Sequence, residues 1–314
     1  MSRKQATRKP TVAIVGAGRL ATFLAVALDD AGFTVTEIVA RALPRSLRRA
    51  RALAAKVGAQ AVSANSATLN ATLLWFAVPD AAIRVAASDL IVNLGARAAA
   101  NNKDRSQDKV RNQVRNRFQN KVRVAFHSSG ALSSRELDPL RKAGVAVASV
   151  HPLMTFVAGA YPSLTDVPFA IEGDDKATRV ARQIARELGG ESFALPAAYK
   201  AAYHAWATMT SPLLLAFLVT LEEAARAAGL TREDARRKSL PIIRQTLANY
   251  ASLGPARSFS GPLIRGDVET VTKHLAVLRK HPVTRDVYVA LARAALRGLP
   301  VKNRNGLMRL LRAP

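Results

Sequence analysis

The stretch that decides the fold is TVAIVGAGRLATFLAVALDDAGFTVTEIVAR, Thr11 to Arg41. Thr11 to Val15 is a short, largely β-branched run that ends in glycine, which reads as a buried strand. Leu20 to Ala31 carries apolar residues at helical spacing, and Gly32 stops it. Thr34 to Ala40 is a second strand. Between the first strand and the helix, Gly16-Ala17-Gly18-Arg19-Leu20-Ala21 matches the pattern G-x-G-x-x-G/A. The first glycine permits a tight turn and the second lets a pyrophosphate approach the backbone. The small Ala21 lets helix and strand pack closely. The free N–H groups of the helix N-terminus then face the phosphates. Gly16, Ala17, Gly18, Arg19 and Leu20 are therefore candidate cofactor-binding residues for a dinucleotide.

The end of the second strand separates NAD from NADP. An NAD site places Asp or Glu there to hold the ribose 2′-hydroxyl. This strand ends Val39-Ala40-Arg41, with Arg45 and Ser46 following. A guanidinium suits a 2′-phosphate by charge and by its planar fork of donors. Glu37 lies inside the strand, a turn too early. The expected cofactor is NADP(H), with Arg41 on its 2′-phosphate.

Further strands and helices continue the alternation. Ser46 to Val57 reads as a basic-faced helix, and Thr72 to Val78 as a strand broken by Pro79. Later strands are Arg123 to Phe126, Val145 to Val150, Pro168 to Glu172 and Glu191 to Leu195, with a helix over Lys176 to Leu188. Such alternation implies a parallel sheet with right-handed crossovers. After Pro196 only helices are expected: Ala198 to Ala228 as one or two, then Arg232 to Leu253, Val268 to Arg279 and Thr284 to Arg297. The fold class is α/β, a Rossmann-type, mostly parallel sheet domain followed by an all-α C-terminal domain. Residues 1–10 form a basic tail, 11–196 the NADP-binding domain, and 197–314 a helical substrate and dimerisation domain.

Of the 314 residues, 49% are apolar, which supplies well-filled cores for two domains. The absence of cysteine excludes disulfides, thiolate zinc sites and cysteine nucleophiles, and it fits a reducing, cytoplasmic setting. The N-terminus lacks the apolar stretch of a cleavable signal peptide. The apolar run Ala205 to Leu221 holds Thr208, Thr210, Ser211 and Pro212, and is expected to be a buried helix rather than a membrane span. Because it is apolar over more than one face, a homodimer through these helices is expected.

The net charge of +25 raises the question of nucleic acid. Aromatic residues are only 5%, and no stacking platform is visible, so an arginine-rich composition is the simpler reading. Much of the charge falls in an apparent insertion from Arg97 to Arg123, with nine Lys or Arg, two Asp, and many Asn and Gln. Val110, Val114, Phe118 and Val122 recur every fourth residue, which suits a basic amphipathic helix. The expectation is a surface excursion between a strand ending near Leu94 and one beginning near Arg123. Deleting Arg97 to Lys121 should then leave folding and cofactor binding intact. A docking surface for an anionic partner is the alternative.

Ligands of open α/β sheets bind beyond the carboxyl ends of the strands. There the chain places Val78-Pro79-Asp80, His127-Ser128-Ser129-Gly130 and Val150-His151-Pro152. His127, Ser129 and His151 are candidate catalytic residues at successive strand ends, and Val78 and Pro79 are candidate cofactor contacts. Lys200, Tyr203 and His204 share one helix face. Reduction of a carbonyl or imine needs an acid, a role open to Lys200 or His204, with Tyr203 against the substrate. An amphipathic helix with one polar stripe is the plainer reading. In Gly261 to Asp267, Arg265 could anchor a substrate carboxylate, and Asp267 could join it or simply cap the next helix.

Taken together, VGAGRLA, VPDAAI, HSSGALSS, VHPLMTF, K-x-x-YH and GPLIRGDVETV-x-x-H resemble an uncharacterised reductase-like family. That family has a Rossmann-like N-terminal half and a helical domain of unknown function. It is similar in plan to pyrroline-5-carboxylate reductases, ketopantoate reductases and deazaflavin-linked NADP reductases. The resemblance covers about residues 11 to 280 outside the basic insertion. It implies a dinucleotide at Gly16, Gly18 and Arg41 and a cleft near Ser129, His151, Lys200 and His204. In the related β-hydroxyacid dehydrogenases a helix lysine is the acid/base, followed a turn later by an amide-bearing residue. Here Tyr203 and His204 occupy that turn.

The expected function is reduction, by NADPH, of a C=O or C=N in a small carboxylate-bearing metabolite. The alternatives are a silent NADP-binding sensor or scaffold and an anionic-surface or nucleic-acid binder. No metal site is expected, and the partners are a small-molecule substrate and a second copy of the chain, with neither nucleic acid nor membrane.

Overall fold

The computed structural model describes residues 9–100, 122–157, 159 and 163–312. Eight strands form one sheet: β1 (Val12–Val15), β2 (Val35–Ala40), β3 (Gln60–Ser63), β4 (Leu73–Phe76), β5 (Val124–His127), β6 (Ala146–Pro152), β7 (Pro168–Gly173) and β8 (Glu191–Ala194). Their order is β3-β2-β1-β4-β5-β6-β7-β8. All neighbours are parallel except β6 and β7. The Rossmann-type, mostly parallel sheet expected from the sequence is present.

Successive strand residues point to opposite faces, so each strand feeds two cores. Val12 and Ile14, Leu73 and Trp75, Val124 and Phe126 belong to one apolar cluster. That face is covered by α1 (Arg19–Asp30), α2 (Pro44–Lys56) and α5 (Asp175–Glu187), which contribute Leu24, Leu53 and Ile184. Ala13 and Val15, Leu74 and Phe76, Ala125 and Val147 enter the second cluster. Its cover is α3 (Ile83–Ala100) and α4 (Asp138–Lys142). The same parity sets His127 opposite Ser149 in the β5·β6 register. Two residues further along β6, His151 follows Ser149 onto that face.

The cores are apolar throughout and fully sheltered, with Trp75, Phe126 and Phe169 at 0% exposure. Each such side chain contributes roughly 1.5–3 kcal/mol of burial free energy. Interior strands covered on both faces read as continuous apolar runs, and for that reason β1, β4 and β5 were legible in the sequence. The short edge strand β3 was not, because its four residues are partly exposed and include Gln60 and Ser63.

One expectation fails between β4 and β5. Leu94 ends no strand: it lies inside α3, with Ile83, Ala87, Leu90 and Leu94 buried in steps of four, three and four. The β-branched pair Ile91 and Val92 imitates a strand there, but the helical stripe packs on the sheet. The basic insertion therefore does not start at Arg97. Arg97 still belongs to α3, and its guanidinium donates to the Asn93 and Ala67 carbonyls. Val110, Val114 and Phe118 lie outside the described residues, as do residues 1–8 of the basic tail. Val122 is buried in the core beside β5.

The chain divides into two compact units, Met1–Ala207 and Thr208–Pro314. Helix α6 (Lys200–Thr210) thus falls largely in the first unit, past the Pro196 turn where the sequence placed the boundary. The second unit holds α7 (Pro212–Arg226), α8 (Arg232–Leu253), α9 (Val268–Leu278), α10 (Pro282–Gly298) and α11 (Arg304–Arg312). Val271, Leu275, Leu296, Leu307 and Leu311 form its core between α9, α10 and α11. Thr231 caps α8 by accepting from the Asp234 N–H, and Arg236 of α8 pairs with Glu222 of α7 at 2.7 Å. The segment Ala198 to Ala228 takes the two-helix alternative, with Ser211 between α6 and α7, but the apolar run is not buried as expected, since α7 buries no residue.

Because Arg97 fastens α3 to the Ala67 carbonyl, the two possible deletions differ. Removing residues 101–121 should leave the melting temperature within a few degrees of the full chain. Removing 97–121 should cost about 1–3 kcal/mol more, or roughly 2–8 °C, read by thermal melting of both variants.

Candidate functional site

The first site is built on the turn after β1. Gly16 has φ +123°, and a Cβ there would stand 2.4 Å from the Ala77 carbonyl oxygen. Only glycine lets β1 and β4 leave the sheet so close together. Gly18 precedes α1, where a Cβ would meet open space, and α1 has neither a side-chain cap nor an acidic residue in its first turn. Its first N–H groups are thus left for an anion.

A cavity of about 350 Å³ opens from this turn. Of the candidate cofactor contacts, Gly16, Ala17, Gly18, Arg41, Val78 and Pro79 line it, together with Ser46. Arg19 and Leu20 start α1 outside that lining. Arg49 was missed, although its place one turn beyond Arg45 on a Pro44-started helix was available as a signal. Arg41, Ser46 and Arg49 give the cavity two guanidinium groups and a hydroxyl at the end of β2. Glu37 takes no part. It is 2% exposed, and its carboxylate accepts from the Thr68 and Leu69 N–H groups at 3.0 and 2.9 Å and from the Thr68 hydroxyl.

The second cluster lies at the carboxyl ends of β4, β5 and β6. The loop after β5 is fastened along its length. Trp75 Nε1 donates to Ser128 Oγ at 2.8 Å, the Ser129 hydroxyl donates to Asp80 at 2.8 Å, and Glu172 accepts from the Ser134 N–H and hydroxyl. Ser129 Oγ also accepts from the Ala131 and Leu132 N–H groups. Lys200, only 2% exposed, reaches under this loop and donates to the Ser129 carbonyl at 2.9 Å and to Ser149 Oγ. Burial lowers its pKa to about 8, against the opposing pull of Glu172 and Asp80.

These contacts revise three of the predicted roles. His127 is fully buried. Its Nδ1 accepts the Ser129 N–H at 3.1 Å, so the neutral ring carries its proton on Nε2 and donates to the Ser133 carbonyl at 2.9 Å. It shapes the loop and has no atom left for a substrate. The Ser129 hydroxyl donates to Asp80 and accepts two N–H groups, and two of the three Lys200 ammonium protons have partners inside the protein. Burial is why the sequence misled: the spacing put these groups at strand ends without showing which would be covered.

Around them stand His151, Tyr203 and His204. His151 Nδ1 and the Tyr203 hydroxyl are 2.8 Å apart, with the rings edge-on. Tyr203 is packed further by Phe193 and Trp206, and burial raises its pKa to about 12. A Cβ on Gly130 would lie 2.8 Å from the His204 ring and 2.9 Å from His151 Nε2. Both rings can close over this position only because it is glycine. The sequence signal for Gly130 was its place in HSSGALSS, but its steric role needed the tertiary structure.

Arg265 and Asp267 belong to the second unit. Asp267 is the N-cap of α9, accepting from the Thr270 N–H at 2.9 Å and its hydroxyl at 2.7 Å. It thus caps the next helix, the plainer of its two readings. Arg265 is exposed on the preceding turn.

No curated protein matches the chain in sequence. Residues 167–295 match a family described as a domain of unknown function, DUF2520. Among solved structures the chain is similar to protein BF3122 of Bacteroides fragilis, provisionally assigned as an NADP oxidoreductase. The identity is 21%, the coverage 91% of this chain and 97% of that one, and the TM-score 0.67. Plasmodium falciparum pyrroline carboxylate reductase with NADP bound is 13% identical, covering 91% and 95%, with a TM-score of 0.55. An imine reductase from a Pseudomonas species is 18% identical, covering 92% and 94%, with a TM-score of 0.54. The chain shares their fold: a Rossmann-type domain followed by a helical one.

Burial lowers the His127 pKa from 6.5 to about 4. The native ring is neutral through the window in which the unfolded ring takes up a proton. Its contribution is therefore full above pH 6.5 and is lost as pH falls toward 4, on the order of 3 kcal/mol. His151, lowered to about 4 by the same cause, acts in the same direction. Urea midpoints measured from pH 7 to 4 should fall with this slope, and His127→Asn should flatten it. Equal slopes in the two proteins would count against the assignment.

Proposed function

We propose that the chain is a cytoplasmic NADPH-dependent reductase, delivering hydride to the C=O or C=N carbon of a small metabolite. The observation that carries this reading is the cavity joining the Gly16–Gly18 turn to Arg41, Ser46 and Arg49. The glycines and bare helix N-terminus suit a pyrophosphate, and the two guanidinium groups suit a 2′-phosphate, while Glu37 of β2 is occupied by Thr68 and Leu69. Bound there, NADPH supplies the hydride. Val78 and Pro79, just after β4, line this cavity, and β5, which leads into the loop of Gly130, is the next strand of the sheet. The relatives' reductase and oxidoreductase names support the same reading.

The charge argument has a direct test. Dissociation constants for NADPH and NADH should differ by tenfold or more in the native chain, since one charge-assisted hydrogen bond contributes about 1.5–3 kcal/mol. Arg41→Asp should remove or invert the preference. Equal affinities in the native chain would end the NADP assignment. NADPH oxidation with a panel of 2-keto acids and cyclic imines then tests turnover. Tight NADPH binding without oxidation of any member would favour the silent sensor.

The same proposal includes a homodimer through the second unit. Helix α7 presents Leu213, Leu214, Leu215 and Val219 uncovered, and consecutive apolar residues over its first turns suit packing on a further neighbour. Light scattering at micromolar concentration should give twice the 33.6 kDa chain mass. A monomer would exclude it.

A further inference from the structure

We propose that His151 gives the reacting heteroatom its proton, and that Tyr203 acts through it as a positioning residue, holding the ring with its N–H on Nε2. This inference rests on the reductase reading above and names the acid that reading leaves open.

The argument begins with what the neighbouring groups are already doing. Lys200 is committed to the Ser129 carbonyl and Ser149, the Ser129 hydroxyl to Asp80, and both nitrogens of His127 to the loop. His151 Nδ1 is likewise taken, by Tyr203. Its Nε2, by contrast, makes no hydrogen bond among the described residues, and it stands over Gly130, where any side chain would displace it. When the phenol donates to Nδ1, the single proton of a neutral imidazole must sit on Nε2, facing the space over Gly130.

The chemistry balances with NADPH as reductant. The hydride, with its electron pair, leaves the dihydronicotinamide ring and bonds to the substrate carbon. The π pair of the C=O bond moves to oxygen, which takes the Nε2 proton. Nδ1 takes the phenol proton of Tyr203; water then reprotonates Nε2, and Nδ1 returns its proton to the phenolate. The sum is one hydride from NADPH and one proton from solvent. A phenol raised to about 12 remains a stronger acid than the alcohol formed, whose pKa is close to water's, about 15.7. Burial, Lys200, His204 and His127 all oppose an imidazolium at His151, so the ring is a neutral donor at neutral pH.

Two measurements on the full chain test this. With 15N-labelled histidine, long-range proton–nitrogen spectra should show His151 neutral and protonated on Nε2 from pH 8 to 5. Tyr203→Phe should mix the two tautomers, which a merely structural tyrosine would not do. On whichever panel member is reduced fastest, His151→Ala should lower kcat by about 10²–10⁴ with an unchanged NADPH Kd, and His151→Gln should recover part of the loss. The proposal is overturned by an Nδ1–H tautomer, by a tautomer indifferent to Tyr203→Phe, or by kcat within threefold in His151→Ala. It is equally overturned if His204→Ala carries the loss instead. If no panel member is reduced, the reductase reading fails separately, and the tautomer measurement alone judges the Tyr203–His151 pair.

Discussion

A buried ammonium is tolerated only where its protons find oxygen, and Lys200 finds it in the Ser129 carbonyl and the Ser149 hydroxyl. This contact fixes helix α6 against the ends of β5 and β6. Once it is made, Tyr203, one turn along α6, meets His151, and His204 comes against Gly130. Removing the amine would leave the Ser149 hydroxyl oxygen without its donor and the Ser129 carbonyl with the Ser149 hydroxyl alone, a cost of about 1–3 kcal/mol for the unsatisfied group. The lysine's contribution is therefore the arrangement of other side chains.

The strand parity explains why such a cluster forms on this side of the sheet. Inside a two-sided α/β sheet every strand residue is covered, and polar side chains survive only where strands end and helices have begun to diverge. His127, Ser149 and His151 share the face of the smaller apolar cluster, and each lies at or near its strand's carboxyl end. Glu37 is an instructive contrast. It sits within β2 on the same face and survives burial only by accepting from Thr68 and Leu69, whose φ of +52° turns the backbone to reach it.

Charge and apolar surface are distributed with similar economy. The excess of arginine appears on α2, where Arg49 joins Arg41 at the cavity. In the second unit, arginines of α8 pair with glutamates of α7, while Leu213, Leu214, Leu215 and Val219 of α7 stay exposed. Ion pairs of this exposed kind contribute little individually. Apolar packing of α9 against α10 and α11 holds the unit's core.

The sequence by itself determined the strand–turn–helix order, the glycine turn after β1 and the basic end of β2. Each is a local property: period-two and period-3.6 patterns, a positive φ that only glycine takes easily, and a charge at a fixed distance from a turn. It also placed His127, Ser129 and His151 at or just after strand ends. Only the tertiary structure decided which of them are consumed. His127, Ser129 and Lys200 look as reactive in the sequence as His151 does. The difference is burial and hydrogen-bond occupancy, which depend on partners 49 and 71 positions away. The α3 helix was hidden for the same reason: Ile91 and Val92 favour a strand locally, and only the packing of Ile83, Ala87, Leu90 and Leu94 on the sheet selects the helix.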